Sequence, residues 1–238
     1  MTDLSHRSTE LELMDRPETS PADYAKALAD LATVNRVTLT HRPVLRWLDA
    51  ATRDRPQGAT IVALDVGCGQ GDLLRAIHRW GTSRGLRLAL SGLDLNARSA
   101  EQAKAATPSD MGIVWRTGNV FDHVPDQAPE FIVCSQFAHH LDDDADVVAF
   151  LLWLERHARS GWYVADLHRH RMSYYGFRLL ARSMGWHRIV RIDGTISIAR
   201  SFRPADWRRF LATAEINAEI TRHLLFRLCV GRLKCRGS

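Results

Sequence analysis

The chain has 238 residues, 45 % of them hydrophobic, which is enough for one sizeable core and cramped for two full domains. Its formal charge of +5 comes from 32 Lys and Arg against 27 Asp and Glu, and the arginines are dispersed rather than blocked, which speaks for a solvated face and against a nucleic-acid surface. No apolar run approaches the roughly 20 residues of a membrane helix, and the opening MTDLSHRSTELEL has no apolar signal region, so a cytoplasmic protein without a membrane span is expected. Cys68, Cys134, Cys229 and Cys235 form no C-x-x-C pair, so neither disulfides nor a metal site are expected; Cys235 reads as an exposed thiol in a frayed tail.

Residues 1–20 are polar and punctuated by Pro17, and read as a mobile N-terminus ahead of a single domain spanning 21–238. Residues 21–55 form a helical cap, with helical apolar spacing over 22–33 and 36–51 and a break forced by Pro43. Asn35, Arg36, His41 and Arg42 in this cap are candidates for contact with a ligand, although solvated helix positions are the simpler reading. The core, 58–168, begins with the run 61–66, apolar apart from Asp65 and rich in β-branched residues, which predicts a strand buried on both faces of a parallel sheet. Gly67, Gly69 and Gly71 then alternate with Cys68 and Gln70, and Asp72 opens a helix that runs to about Trp80. Strand, glycine turn and helix together make a place where the backbone turns sharply and lets a ligand approach without a Cβ in the way.

Residues 86–95 predict the second strand, ending in Asp94, and 97–106 a helix. A third strand at 113–116 leads to Asn119, Val120 and Phe121, of which Phe121 reads as core. The fourth strand, 130–136, carries Ser135 and runs into His139 and His140; Asp142, Asp143 and Asp144 suit a helix N-terminus, where carboxylates cap free amides, and 145–157 is amphipathic. The fifth strand, 161–167, ends in Asp166, followed by His168 and Arg169. This alternation implies an α/β fold with a doubly wound, mostly parallel sheet, and the glycine turn, Asp94, Asn119, His139, His140, Asp166 and His168 all fall at the carboxyl ends of the strands, where such sheets bind ligands. Residues 169–203 form an insert, helical over 172–185 and then an excursion over 186–202; residues 204–235 hold a helix and an antiparallel hairpin over 216–234 at the sheet edge.

The glycine spacing separates two kinds of ligand. A dinucleotide fingerprint needs a third glycine where this chain has Asp72, and a carboxylate there faces a pyrophosphate badly. The pattern from Asp65 to Gly71 instead resembles the first motif of class I S-adenosylmethionine-dependent methyltransferases, whose ligand carries a sulfonium and an amino group and no phosphate. The resemblance covers about 21–234, and it implies a Rossmann-like seven-stranded sheet whose last strand runs against the others. It further implies that S-adenosylmethionine, leaving as S-adenosylhomocysteine, is held by Asp65, Gly67, Cys68, Gly69, Gly71, Asp94, Leu95, Asn119, Val120 and Ser135. Asp94 would accept the ribose hydroxyls, and Asn119, where the family commonly has Asp, would meet the adenine amine.

The His139-His140 pair and the D-L-H-R stretch after strand five are similar to methyltransferases of the ubiquinone and menaquinone biosynthesis type and to those encoded beside bacterial type III polyketide synthases. That resemblance implies O-methylation of a phenolic, quinone-like or polyketide-derived acceptor, an aromatic or apolar small molecule, with His139, His168, Arg169 and Tyr174 on the acceptor side; a homodimer is compatible with it. The alternatives are C-methylation of a quinone ring and a protein that binds S-adenosylmethionine without turnover. RNA or protein methylation is disfavoured because no nucleic-acid module is appended and Ser135, Gln136, Phe137 and Ala138 stand where amino-group methylation often uses N/D-P-P-Y. Transfer to a hydroxyl needs a base near the methyl, and the expected pair is His140 as base with Asp166 as its orienter, His139 or His168 being the other imidazoles in reach.

Overall fold

The computed structural model describes residues 2–16 and 18–234, so Cys235 lies outside the described residues. Seven strands form one sheet, β1 (Thr60–Val66), β2 (Arg87–Asp94), β3 (Val114–Thr117), β4 (Phe131–Ser135), β5 (Gly161–Leu167), β6 (Glu219–His223) and β7 (Arg227–Leu233), in the order β3-β2-β1-β4-β5-β7-β6. The first five strands pair in parallel, whereas β7 runs antiparallel to both β5 and β6, as expected for the terminal hairpin. The order reverses between β1 and β4, so the carboxyl ends of these two strands flank a crevice.

Alternation along the strands builds two cores. Leu64 and Val66 of β1 face one side with Ile132, Cys134, Trp162 and Val164, packed by α5 (Asp144–His157) and α8 (Pro204–Thr213). Ile61 and Ala63 face the other with Phe131, Val133, Tyr163 and Ala165, under α2 (Arg42–Ala51) and α3 (Asp72–Ser83). A helix, α4 (Ala97–Ala105), joins β2 to β3. Asp65 continues the second alternation and is thereby aimed at the side covered by α2 and α3.

A third cluster joins α1 (Pro21–Val37) to α6 (Arg171–Ser183) and α7 (Arg188–Arg200) through Tyr24, Leu28, Val34, Ala181, Trp186 and Val190. The excursion expected over 186–202 is thus mostly helix, because Ile189, Val190, Ile196 and Ile198 bury one flank and the His187 side chain caps its start. The cap also differs in detail: α1 runs on to Val37, and Pro43 sits in the first turn of α2, a position where its missing N–H is harmless.

Residues 2–16 were expected to be mobile, yet they lie against α7 and the end of β4. Leu4, Glu12 and Met14 are buried. Ser8 N–H donates to Ala199 O at 3.0 Å, and Asp193 accepts from Leu13 N–H and Met14 N–H at 2.8 and 2.9 Å. These bonds tie a locally featureless segment to a helix some 180 residues away, the separation of the Leu13–Asp193 pair. Among the described residues no helix is long and apolar enough to cross a membrane.

Candidate functional site

The glycine turn joins β1 to α3 with Gly67, Gly69 and Gly71 all in the left-handed region, at φ of +68°, +50° and +77°. The three have different reasons. A Cβ on Gly67 would strike the Phe137 ring and one on Gly71 would strike Trp115, whereas one on Gly69 would meet nothing within 4 Å. The outer two glycines therefore serve the chain's own packing, and Gly69 faces the open space of the crevice. Gly67 and Cys68 donate backbone N–H groups to Leu93 O at 2.8 and 3.2 Å, which pins the turn to the end of β2.

Three carboxylates surround this turn. Asp94 accepts from Gly69 N–H at 2.8 Å and Asn96 N–H at 2.9 Å, so it braces the turn as well as standing where ribose was expected. Burial raises its carboxyl above the usual range, against those hydrogen bonds. Asp65 is buried, and burial, with the charges of Asp72 and Asp94, pushes its carboxyl well up; its Oδ1 has no hydrogen-bond partner. For Asp72 burial acts to raise the carboxyl, but hydrogen bonds from His41 at 3.0 Å and Asn35 at 2.8 Å hold it below its usual value. Two cap residues marked in the sequence are thus joined to the turn, and they also edge a cleft of about 480 Å³ between the α1–α2 loop and Trp80.

This donor set fits S-adenosylmethionine. An orphaned buried carboxylate oxygen on Asp65, an orphaned Ser135 hydroxyl at the end of neighbouring β4, and open space over Gly69 are what a cation with amino and hydroxyl groups would satisfy. A phosphate would be repelled by the Asp72 carboxylate, which is held below its usual value at the start of α3. The remaining expected contacts vary. Leu95 is 74 % exposed beside Asp94, as an apolar wall awaiting a ligand would be. Asn119 caps a short turn through Phe121 N–H at 3.1 Å. The Val120 side chain belongs to the core, which leaves only its backbone for a ligand, and Cys68 is buried with its thiol pushed up by burial. Phe121, expected in the core, is exposed.

At the ends of β4 and β5 the expected dyad is corrected. Asp166 accepts from His139, whose backbone N–H lies at 3.0 Å and whose Nδ1 lies at 2.7 Å; its partner is not His140. The reason is the tight turn Ala138–His140, which sends the first imidazole inward and leaves the second on the rim, partly exposed and with its ring 4.4 Å from that of His139. On its far side His139 Nε2 faces Glu12 Oε1 at 3.5 Å, and His140 Nε2 stands 3.9 Å from the same oxygen. Burial alone would lower His139, but the Asp166 charge and hydrogen bond and the Glu12 carboxylate lift it to about 9. Burial alone would raise Glu12, but His140 and His139 bring it down to about 2. Glu12, His139 and His140 are also the one group among the described residues whose nitrogen and oxygen atoms, all within 4.8 Å of one another, suit a metal ion.

Other expected acceptor-side residues separate. Arg169 is buried and spent on structure: it donates to Ser201 O at 3.1 Å and Ser5 O at 3.0 Å and pairs with Asp206 at 2.8 Å, which removes it from the site. The His168 ring is pushed down to about 4 by burial and by the neighbouring His170, Arg222 and Arg203, so it stays neutral near pH 7. The Tyr174 hydroxyl accepts from Thr2 at 3.2 Å and edges a second cleft, of about 310 Å³, with Arg178, Arg182 and Arg191.

The residues that sequence reasoning missed share long separations. Arg200 donates to the carbonyl oxygens of His139 and His140, both at 3.1 Å, and Arg7 adds a bond to His139 O at 2.8 Å, so two guanidiniums clamp the histidine turn. Gln136, at φ +56°, is held by Arg227 at 3.0 Å and donates to Asn35 at 2.8 Å. No local pattern marks any of them; a polar Glu12 in a polar tail carries no signal of its own.

Known proteins share this architecture. Residues 64–165 match the family described as a methyltransferase domain. The plantazolicin methyltransferase BpumL, in complex with a monoazolic desmethylPZN analog and S-adenosylhomocysteine, superposes with a TM-score of 0.66 at 12 % identity over 90 % of this chain and 91 % of that one. A methyltransferase from Aquifex aeolicus gives 0.60 at 15 % identity over 88 % and 97 %. Magnesium protoporphyrin IX methyltransferase from Synechocystis PCC 6803, with bound S-adenosylhomocysteine, gives 0.52 at 14 % over 83 % of both. At these identities the likeness is one of fold. No curated protein matches the chain by sequence.

Proposed function

We propose that this chain is a class I S-adenosylmethionine-dependent methyltransferase that methylates a hydroxyl oxygen of a small aromatic acceptor, phenolic, quinone-like or polyketide-derived. One observation carries the reading: the acidic glycine turn of β1 and the histidine turn of β4 open on the same crevice, on strands that pair through Val66 and Cys134. When bound, S-adenosylmethionine supplies an already activated methyl group. The chain's residues then have two tasks, to hold the acceptor in line with the sulfonium and to let its hydroxyl lose a proton. Asp72, held below its usual value, supplies negative charge, Asp65 and Asp94 supply carboxyl oxygens that a ligand's amino and hydroxyl groups can bond, and Gly69 supplies the room. His140, the rim imidazole, meets the acceptor hydroxyl, and Asp166 acts one step behind, by fixing His139 against it.

The insert packs on α1 through Tyr24, Phe177 and Trp186, and this aromatic material beside the sheet is in keeping with a flat, apolar acceptor. Two of the similar structures are named for plantazolicin and for magnesium protoporphyrin IX, not for a nucleic acid, which supports a small acceptor.

The test is calorimetric titration with S-adenosylhomocysteine, with NADH as control, followed by a screen of phenols and quinones for release of S-adenosylhomocysteine from S-adenosylmethionine. Micromolar binding of the first ligand alone and turnover with a phenol are expected. Binding without turnover on any hydroxyl acceptor, together with methylation of a quinone ring carbon, would replace the oxygen reading by the carbon one.

A further inference from the structure

We propose that Glu12, His139 and His140 form a binding site for one divalent transition-metal ion, of the zinc or ferrous type, at the acceptor end of the crevice. The inference rests on the reading of this corner as the acceptor site and says what prepares the acceptor's oxygen there.

Three observations converge. First, Glu12 Oε1 lies 3.5 Å from His139 Nε2 and 3.9 Å from His140 Nε2, and all three donor atoms fall within 4.8 Å. Ligands about 2.1 Å from a shared ion stand about 3 to 3.5 Å apart, so the set closes on an ion by small side-chain rotations. Second, the remaining nitrogen of His139 is bonded to Asp166 at 2.7 Å. A carboxylate behind a ligating imidazole fixes its tautomer and leaves Nε2 as the donor, the arrangement that metal-binding histidines adopt. Third, the site is built and dry on its inner side: Glu12, His139 and Asp166 are buried, and Ser197 donates to Glu12 Oε1 at 2.6 Å. Two buried carboxylates face the His139 imidazole, and a divalent ion would neutralise both. Arg7 and Arg200 stand in the same corner, but they bond the carbonyl oxygens of the turn and fix its position.

Two imidazoles and one carboxylate favour a borderline metal over magnesium or calcium, which prefer oxygen ligands, and such a face leaves coordination positions open. With the ion bound, His140 acts on the acceptor as a ligand of that ion and not as its base, and a phenolic or enolic hydroxyl taking an open position would release its proton to solvent. The resulting oxygen would form its bond to the methyl carbon as the carbon–sulfur bond breaks and its electron pair stays on sulfur.

The experiment is titration of the metal-free full-length chain with ZnCl₂, CoCl₂ and MgCl₂ by calorimetry, with the visible spectrum of the cobalt form. One equivalent of zinc or cobalt binding at micromolar Kd or tighter is expected, with no heat from magnesium. His140→Ala and Glu12→Gln should each weaken zinc by at least tenfold while S-adenosylhomocysteine binding stays intact, which reports a folded chain and is separate from metal affinity. Absence of stoichiometric zinc and cobalt binding would overturn the site. So would binding unchanged in both variants but lost in His170→Ala, since that would move the metal to the His168–His170 pair.

Discussion

The two halves of the crevice are made in opposite ways. The half proposed for the cofactor is local: the turn 67–71, its brace Asp94 and the Asp65 that precedes it lie within one strand-helix-strand unit, and the Gly69–Asp94 bond spans 25 positions. The acceptor half is assembled from the N-terminal segment, β4, β5 and α7, with 132 positions between Arg7 and His139 and 185 between Glu12 and Ser197. A local site depends on backbone conformations that a few glycines permit, whereas a dispersed one depends on the whole fold being in place. The first should therefore fail by steric substitution and leave the fold alone, and the second should fail when any one of its distant supports is cut.

The largest effect should come from Gly69→Val. A β-branched residue at φ +50° is strained, and its side chain would fill the open space over the turn, so S-adenosylhomocysteine affinity should fall by more than about 100-fold in calorimetry while the circular dichroism spectrum is kept. Retained affinity would mean that the crevice is not the cofactor site. Next is His140→Ala, expected to slow methyl transfer by about 10²-fold with cofactor affinity intact. A near-normal rate with a phenol that the wild type methylates would remove His140 from the chemistry. Asp94→Ala should weaken S-adenosylhomocysteine by about 1 to 3 kcal/mol, the scale of hydrogen bonds lost from a buried carboxylate; unchanged affinity would make Asp94 a brace for the turn alone. The smallest change is Asp193→Asn. It should cost about 1 to 2 kcal/mol of stability and raise hydrogen exchange at residues 8–14, with cofactor affinity unaltered. A loss of cofactor affinity in that variant would show that the two halves are coupled and blur the distinction drawn here.

Legibility follows the same line. Strands β1, β4 and β5 were readable because burial on both faces leaves nearly continuous apolar runs, and β5 was placed to the residue. The turn that carries Asp65 and Gly69 was readable because a glycine turn between strand and helix is a short-range pattern. The pairing of Asp166 was not. The choice between His139 and His140 depends on the pitch of a three-residue turn and on Arg7 and Arg200 holding its carbonyls. Nor was the use of Arg169, an apparent site residue that the fold consumes in anchoring Leu4, Ser5 and Asp206.

By itself, then, the sequence determined the architecture and the place of the glycine turn with the carboxyl groups around it, because periodicity and backbone freedom act over a few residues. Tertiary structure alone decided which imidazole meets Asp166, that a polar N-terminal segment carries Glu12 against the two histidines, and that Gly67 and Gly71 leave room for Phe137 and Trp115. Those outcomes depend on contacts between residues far apart in the chain, and such contacts exist only once the sheet has brought its carboxyl ends together.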